Sequence, residues 1–295
     1  KRDWRNAVTD DLRAFIAVAE TGSFSDASEQ LFLTQPAISK RIASLEDELS
    51  TSLFDRIGRQ TSLTEAGQAL LPRARRILME IEDSRRALQN LSQSVSGVLR
   101  FGTSHHIGLH RLPPVFRQFT QSYPDVELDI QFMDSEEACR AVEHGDLEMA
   151  VVTLPLKQSK LLETRRIWID QLEVVCGRTH PLARLKKIKL DQLSEHKAIL
   201  PARGTFTREI IAQAFSRHKL SLNISLASNY LETIKMLVSV GLGWSILPAQ
   251  MHGRELKKLN ISQLSLKREL GMVWHAHRTL SNAATALQAL LDEQH

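Results

Sequence analysis

Through the first ninety positions the apolar residues recur every three or four places, the period of a helix. Beyond position 98 they alternate or run in short blocks, the patterns of strands. Residues 1–10 are polar and read as loose chain, after which Leu12, Phe15, Ile16 and Ala19 line one face of a first helix. Ser25 offers an N-cap to a second, short helix, with Phe24 as a hydrophobic staple and Ala27 and Leu31 sharing a face four residues apart. Thr34 caps a third helix and Pro36 sits in its first turn, where a missing N–H costs nothing. Along that helix Ile38, Ile42, Leu45 and Leu49 make one buried stripe. The opposite face carries Gln35, Pro36, Ser39 and Lys40, with Arg41 at its edge. Short polar and cationic groups at a helix N-terminus suit base edges and phosphates in a major groove; an ordinary solvated face is the alternative. In residues 53–67, Arg56 and Arg59 flank Gly58 in a loop between helices. That is a wing whose arginines can follow the phosphate backbone or enter the minor groove.

Thr64 caps a long helix running to about Asn90, in which Ala74, Ile77, Ile81, Ser84, Leu88 and Leu91 alternate by three and four. That heptad seam suits pairing with the same helix of a second chain; the alternative is packing on its own domain. Residues 92–97, SQSVSG, read as a hinge. Strands and helices then alternate. Val98–Gly102, Val126–Phe132, Met149–Thr153, Ile167–Gly177 (one strand or a pair), Lys197–Leu200 and Ile224–Ala227 read as strands. Leu112–Tyr123, Ser135–His144, Phe206–Arg217 and Leu231–Val240 read as helices, with Gly145 and Gly241 as stops. The alternation predicts a largely parallel α/β sheet covered on both faces.

Composition changes this picture little. A chain of 295 residues, 42% hydrophobic and 24% charged, is long enough for two or three domains. The net charge of +4 permits a polyanionic partner without demanding one. The first 96 residues hold 13 Lys/Arg against 14 Asp/Glu, so nucleic-acid binding there depends on where the cations sit. Cys139 and Cys176 form no C-x-x-C and are expected to be buried reduced thiols in a reducing cytosol. No apolar run of transmembrane length and no signal peptide is read; Lys1 in place of an initiator Met is taken as trimming or renumbering.

Four spaced runs carry a family resemblance. They are F-x-x-V-A-E-x-G-S-F-S over Phe15–Ser25, T-Q-P-A-I-S over Thr34–Ser39, L-F-D-R over Leu53–Arg56 and L-T-E-A-G over Leu63–Gly67. In this order they resemble the winged helix-turn-helix of the LysR-type transcriptional regulators. The run G-L-G-W-S-I-L-P over Gly241–Pro248 is similar to the same family's regulatory half. The resemblance implies a multidomain chain: an all-α winged helix-turn-helix over 7–66, a linker and dimerisation helix over 64–91, and a periplasmic-binding-protein-like α/β effector domain over 98–295. Within the last, subdomain I would comprise 98–163 and 271–295, and subdomain II 166–268, with crossings near 163–166 and 268–271. It carries DNA contact over to Gln35, Pro36, Ser39, Lys40 and Arg56; many members have arginine where Lys40 stands. It implies double-stranded promoter DNA as partner, a homodimer assembling to a homotetramer, RNA polymerase as a further partner, and a place in the bacterial cytoplasm at the nucleoid. Some relatives sense peroxide through a cysteine pair in the second subdomain, where this chain has Cys176 alone.

In an open α/β fold ligands bind beyond the carboxyl ends of strands, near helix N-termini. Three stretches meet that description: Thr103, Ser104 and His105; Asp134 and Ser135; and Arg203, Gly204, Thr205 and Phe206, with Ser228 as a wall. Hydroxyls, free amides and an arginine suit a small anionic effector, with no cofactor; plain helix capping is the alternative for any one hydroxyl. His105, His106 and His110 are irregularly spaced, with no carboxylate or thiolate close by in sequence, so no metal site is assigned. His105 is expected at the surface or facing the ligand, titrating near neutrality. No nucleophile elbow, phosphate loop or dinucleotide fingerprint is present, which argues against a hydrolase or transferase. A solute-binding protein with an N-terminal assembly module is the alternative reading.

Overall fold

The computed structural model describes residues 4–57, 60–92, 94–157 and 159–294, with backbone alone at 4–7, 56, 57 and 60. The chain divides into two compact units, Lys1–Gln89 and Asn90–His295. The first unit holds α1 (Trp4–Thr21), α2 (Phe24–Gln30), α3 (Gln35–Leu49), β1 (Phe54–Ile57), β2 (Gln60–Leu63) and α4 (Glu65–Asn90), whose last residue lies beyond the division. Its core joins Leu12, Phe15 and Val18 of α1 to Ala27, Ile38, Ile42, Leu45, Leu53, Phe54 and Ala74. Thr34 caps α3, its hydroxyl accepting from the Ala37 N–H at 3.4 Å, and Thr64 caps the start of α4 by accepting from the Gly67 N–H at 3.0 Å. A Cβ on Gly67 would meet the Leu53 carbonyl oxygen at 2.2 Å, so the wing and α4 touch only because this position is glycine.

Three expectations in this unit need correction. The helix begins at Trp4, well before the stretch read as structured, and the Asp10 carboxylate pairs with Arg41 at 3.1 Å, tying that turn to α3. The cap of α2 is Ser23: Gly22 takes φ +66°, Ser23 is extended, and its hydroxyl accepts from the Asp26 N–H at 3.2 Å. Ser25 is already helical, and its carbonyl accepts from the Ser28 hydroxyl. The buried stripe of α3 ends at Leu45, leaving Leu49 43% exposed. There Glu46 turns inward to accept from the N–H groups of Leu53 and Phe54, and Ser50 closes the helix at φ 52°.

Among the described residues the second unit is built on one mixed sheet of nine strands, and the largely parallel sheet expected from the alternation is not what forms. β3 (Gly97–Thr103), β4 (Val126–Phe132) and β5 (Met149–Thr153) are parallel neighbours, as are β7 (Ala198–Leu200), β8 (Ile224–Ala227) and β9 (Trp244–Pro248). Between them run two long antiparallel strands, β6 (Leu162–Gly177) and β11 (Leu266–His275), with β10 (Leu256–Lys258) paired to β6. β5 pairs with the far half of β11 and β9 with the far half of β6, so these two strands belong to both ends of the sheet. Their register shifts between Leu270 and Gly271, where a Cβ would strike the Arg165 carbonyl oxygen at 2.2 Å.

Helices α5 (His105–His110), α6 (Pro113–Ser122), α7 (Ser135–His144), α8 (Leu190–Glu195), α9 (Phe206–Arg217), α10 (Leu231–Ser239) and α11 (Asn282–Asp292) cover the sheet. One core gathers Leu99, Phe101, Phe119, Met149, Met272, Leu287 and Leu291. Another gathers Val174, Leu193, Leu200, Ile211, Phe215, Trp244 and Ile246. Trp244 stacks on Phe215 with ring centroids 5.8 Å apart and donates its indole N–H to the carbonyls of Leu193 and His196. The glycines before it have distinct reasons: Gly241 sits at φ +91°, and a Cβ on Gly243 would meet the Lys197 carbonyl at 2.4 Å.

Candidate functional site

On α3, Gln35, Pro36 and Lys40 are exposed and Ser39 is half-buried, while Ile38, Ile42 and Leu45 are buried. Arg41 is not the free edge cation expected: its guanidinium donates to the Asp10 carboxylate and carbonyl. Arg56 lies in β1 opposite Thr61, and Arg59, like Gly58, lies outside the described residues. Phe32, in the turn before α3, adopts φ 53° and is 97% exposed; apolar patterning alone would have assigned it to the core.

The residues expected at the ligand site fare unevenly. Ser104, Asp134, Ser135, Glu136, Pro201, Thr205, Thr207, Asn229 and Leu231 line one small polar cavity beyond the ends of β3, β4, β7 and β8. Thr103 is fully buried, and its hydroxyl donates to the Val151 carbonyl at 2.9 Å, so it holds β3 to β5 and does not line this cavity. Ser135 accepts from the Thr153 N–H at 3.1 Å. Thr205 caps α9, accepting from the Arg208 N–H and donating to the Ala202 carbonyl. Ser228 accepts from the Tyr230 N–H. Arg203 and Gly204 are exposed on the loop into α9, Gly204 at φ +88°. His105 is half-buried between Phe132 and Tyr230, with ring centroids 5.3 and 4.7 Å away, and so is not a freely exposed imidazole.

The decisive contacts come from residues that sequence reasoning missed. Glu136, in the first turn of α7, accepts a hydrogen bond from the Phe206 N–H at the start of α9. Burial raises the Glu136 carboxyl above its ordinary value, against the pull of that bond. Beside it, the Asn229 amide donates to the Asp134 carboxylate.

Deeper in, Asp170 of β6 has a side chain with no exposure and is gripped from two sides. Arg111 donates to one oxygen at 2.7 Å, and Arg268 of β11 donates to the other at 2.9 and 3.2 Å. Burial by itself would raise the Asp170 carboxyl; the charges and hydrogen bonds of Arg268 and Arg111 outweigh it and hold the group below its usual range. Arg268 also donates to the Thr207 hydroxyl at 3.2 Å, carrying the network to α9. His106 lies alongside with its pKa lowered to about 4, by burial first and by the Arg268 charge next. The partners of Asp170 are separated from it by 59 and 98 residues, and no local motif announces them.

A larger cavity of ≈ 540 Å³ lies along β6 and residues 258–266, away from these groups. Both cysteines are buried and unpaired; burial pushes Cys139 up to about 12 and Cys176 to about 11, which leaves neither as a reactive thiolate at neutral pH. Among the described residues no helix is long and apolar enough to cross a membrane.

A helix-turn-helix with a two-stranded wing, followed by a long helix and an α/β domain with a polar cavity, defines the class of ligand-responsive, DNA-binding transcriptional regulators. Residues 9–68 match the bacterial regulatory helix-turn-helix protein family of lysR type, and residues 92–295 match the LysR substrate binding domain. The chain therefore belongs to the LysR family of transcriptional regulators, with a DNA-binding head and an effector-binding domain. It is 71% identical over 103 residues to an uncharacterized HTH-type transcriptional regulator of Azotobacter vinelandii, covering 35% of this chain and 72% of that one. Over 294 residues it is 32% identical to a probable RuBisCO transcriptional regulator of Cyanidioschyzon merolae, covering 96% and 97% of the two chains. The fold is also that of a full-length OxyR variant from Pseudomonas aeruginosa, with a TM-score of 0.68 and 22% identity, covering 97% of this chain and 93% of the other. The helix-turn-helix match removes the reading of the N-terminal module as a mere assembly device.

Proposed function

We propose that the effector is a small carboxylate-bearing anion that binds among Ser104, Ser135, Thr205 and the start of α9. The supporting observation is the Glu136 carboxylate seated on the Phe206 N–H: the molecule's own anion already occupies a carboxylate-accepting position. Because burial disfavours the ionised Glu136, a ligand carboxylate can take its place, with Arg203 as a nearby cation. The exchange breaks the tie between α7 and α9 and so gives the ligand different affinities for two arrangements of the domain, as any effector requires. The division proposed for that domain is 98–163 with 271–295 against 166–268.

On the DNA side, Gln35, Pro36, Ser39 and Lys40 meet base edges and phosphates, while Arg56 and Arg59 hold the backbone from the wing. Arg41 joins them only by leaving Asp10. Two heads reach two half-sites through a dimer of α4 helices, paired further into a tetramer, in a bacterial cytoplasm where RNA polymerase is the downstream partner.

The test is a thermal melt of the full chain with small carboxylic acids and their neutral primary amides, read beside promoter binding. A rise in melting temperature with an acid and not with its amide, together with altered DNA affinity, supports the reading. Equal stabilisation by acid and amide overturns the anion assignment.

A further inference from the structure

His106 is 4% exposed, yet neither of its ring nitrogens has a hydrogen-bond partner. A buried imidazole with both nitrogens idle is costly, and such groups call for an explanation. One turn along α5 stands His110, on the same helical face. Its Nε2 lies 2.8 Å from Oε1 of Glu232, in the first turn of α10, and the same oxygen is 3.7 Å from His106 Nδ1. One ligand atom from each of the three residues falls within 4.8 Å of the others. A tetrahedral ion with ligands at about 2.0–2.1 Å sets its ligand atoms about 3.3 Å apart, so only small side-chain adjustments separate this cluster from a coordination set.

The surroundings fit as well. With Nδ1 of His106 turned to Glu232, its Nε2 faces the Asp170 carboxylate at 3.9 Å, the carboxylate–histidine arrangement that orients metal-bound imidazoles. Both nearby guanidiniums, Arg111 and Arg268, are bonded to Asp170, whereas Glu232 faces the two histidines.

We propose that His106, His110 and Glu232 form a three-ligand site for a divalent transition-metal ion of the zinc type. Two imidazoles and one carboxylate select such an ion over Mg²⁺ or Ca²⁺, which prefer all-oxygen shells. Three protein ligands leave a fourth position open to water or to an incoming donor. The bound ion fastens α5, beside one core, to α10, which packs on the opposite part of the sheet, and replaces the His110–Glu232 hydrogen bond. This assignment does not depend on the carboxylate reading of the neighbouring cavity. Sequence alone could not supply it, since Glu232 lies 122 residues beyond His110.

The test uses the full-length protein, stripped with a chelator and exchanged into clean buffer. Zn²⁺ is titrated against a chromophoric competitor, and Co²⁺ is added separately for its absorption spectrum. Wild type is expected to bind one tight equivalent of Zn²⁺ and to give the visible bands of a four- or five-coordinate Co²⁺ site. Glu232→Gln and His110→Gln, both at partly exposed positions and with folding checked by circular dichroism, are expected to weaken binding by more than the roughly 10–100-fold typical of losing an outer-shell partner. Absence of a tight equivalent in wild type, or wild-type affinity in both variants, overturns the site.

Discussion

Glu136 is half-buried and Asp170 buried, and their surroundings push the two carboxyl groups in opposite directions. For Glu136 burial dominates, so its folded pKa lies above the ordinary 4.5. Whatever stability it contributes is present while the group is protonated, below that value, and is lost as pH rises through the raised folded pKa. Glu136→Gln keeps an oxygen to accept from Phe206 and never ionises. We therefore expect it to melt no lower than wild type at about pH 7 to 8, with any advantage disappearing as the pH falls towards the ordinary carboxyl value. Paired melts across that range check it, and a clear loss at neutral pH would show that the charge itself is needed. For Asp170 two arginines win, so the folded pKa lies below the ordinary 3.8. Its contribution is present above 3.8 and lost as pH falls through the lowered value. Asp170→Asn leaves the buried Arg268 and the half-buried Arg111 short of a counter-charge and should cost about 3–5 kcal/mol in urea unfolding at neutral pH. A cost below about 1 kcal/mol would mean that Arg111 and Arg268 find other partners.

At the scale of elements, local chemistry and tertiary context divide the work visibly. Thr34, Thr64, Gly145 and Gly241 bound their helices where the residues alone suggest, because capping and left-handed stops are decided within four residues. The start of α2 shows the limit of that logic. Ser23 and Ser25 are both acceptable caps by type, and the left-handed Gly22 selects the first. Ser23→Ala is expected to cost about 1 kcal/mol and Ser25→Ala much less, measured by chemical denaturation. The reverse order would contradict the cap. The long helix α4 is likewise divided. Ala74 is buried in the core of its own unit, while Ile77 and Leu88 are 46% and 70% exposed; Leu91, just past the helix end, is 78% exposed. Strands β9 and β11 and helices α5 and α11 do not stand out as elements in the sequence. Both faces of the strands are largely covered, which erases the period of two, and α5 is only six residues long.

For the molecule as a whole, the exposed seam residues bear on the dimer proposed above. An apolar row left bare on a charged helix is a place for a partner, and in the proposed dimer a second copy of α4 would supply the matching row. Leu88→Lys is expected to shift full-length protein towards monomer in sedimentation experiments and to lower promoter affinity, since two half-sites are then bound independently. An unchanged sedimentation coefficient would place the dimer contact elsewhere.

Whatever depends on neighbours along the chain is legible without coordinates: the helix-turn-helix, its polar outer face, the wing, the long helix, and the order of most strands and helices. The family follows from the same runs, because T-Q-P-A-I-S and L-T-E-A-G encode a capped helix and a glycine contact with fixed local geometry. The antiparallel course of β6 and β11 through the whole sheet had to be seen in three dimensions. So did the use of Thr103 on Val151, the reach of Glu136 to Phe206, and the meeting of His106 and His110 with Glu232. Each of those facts joins residues dozens of positions apart, and hydrophobic periodicity carries no information about which distant polar group will be buried beside which.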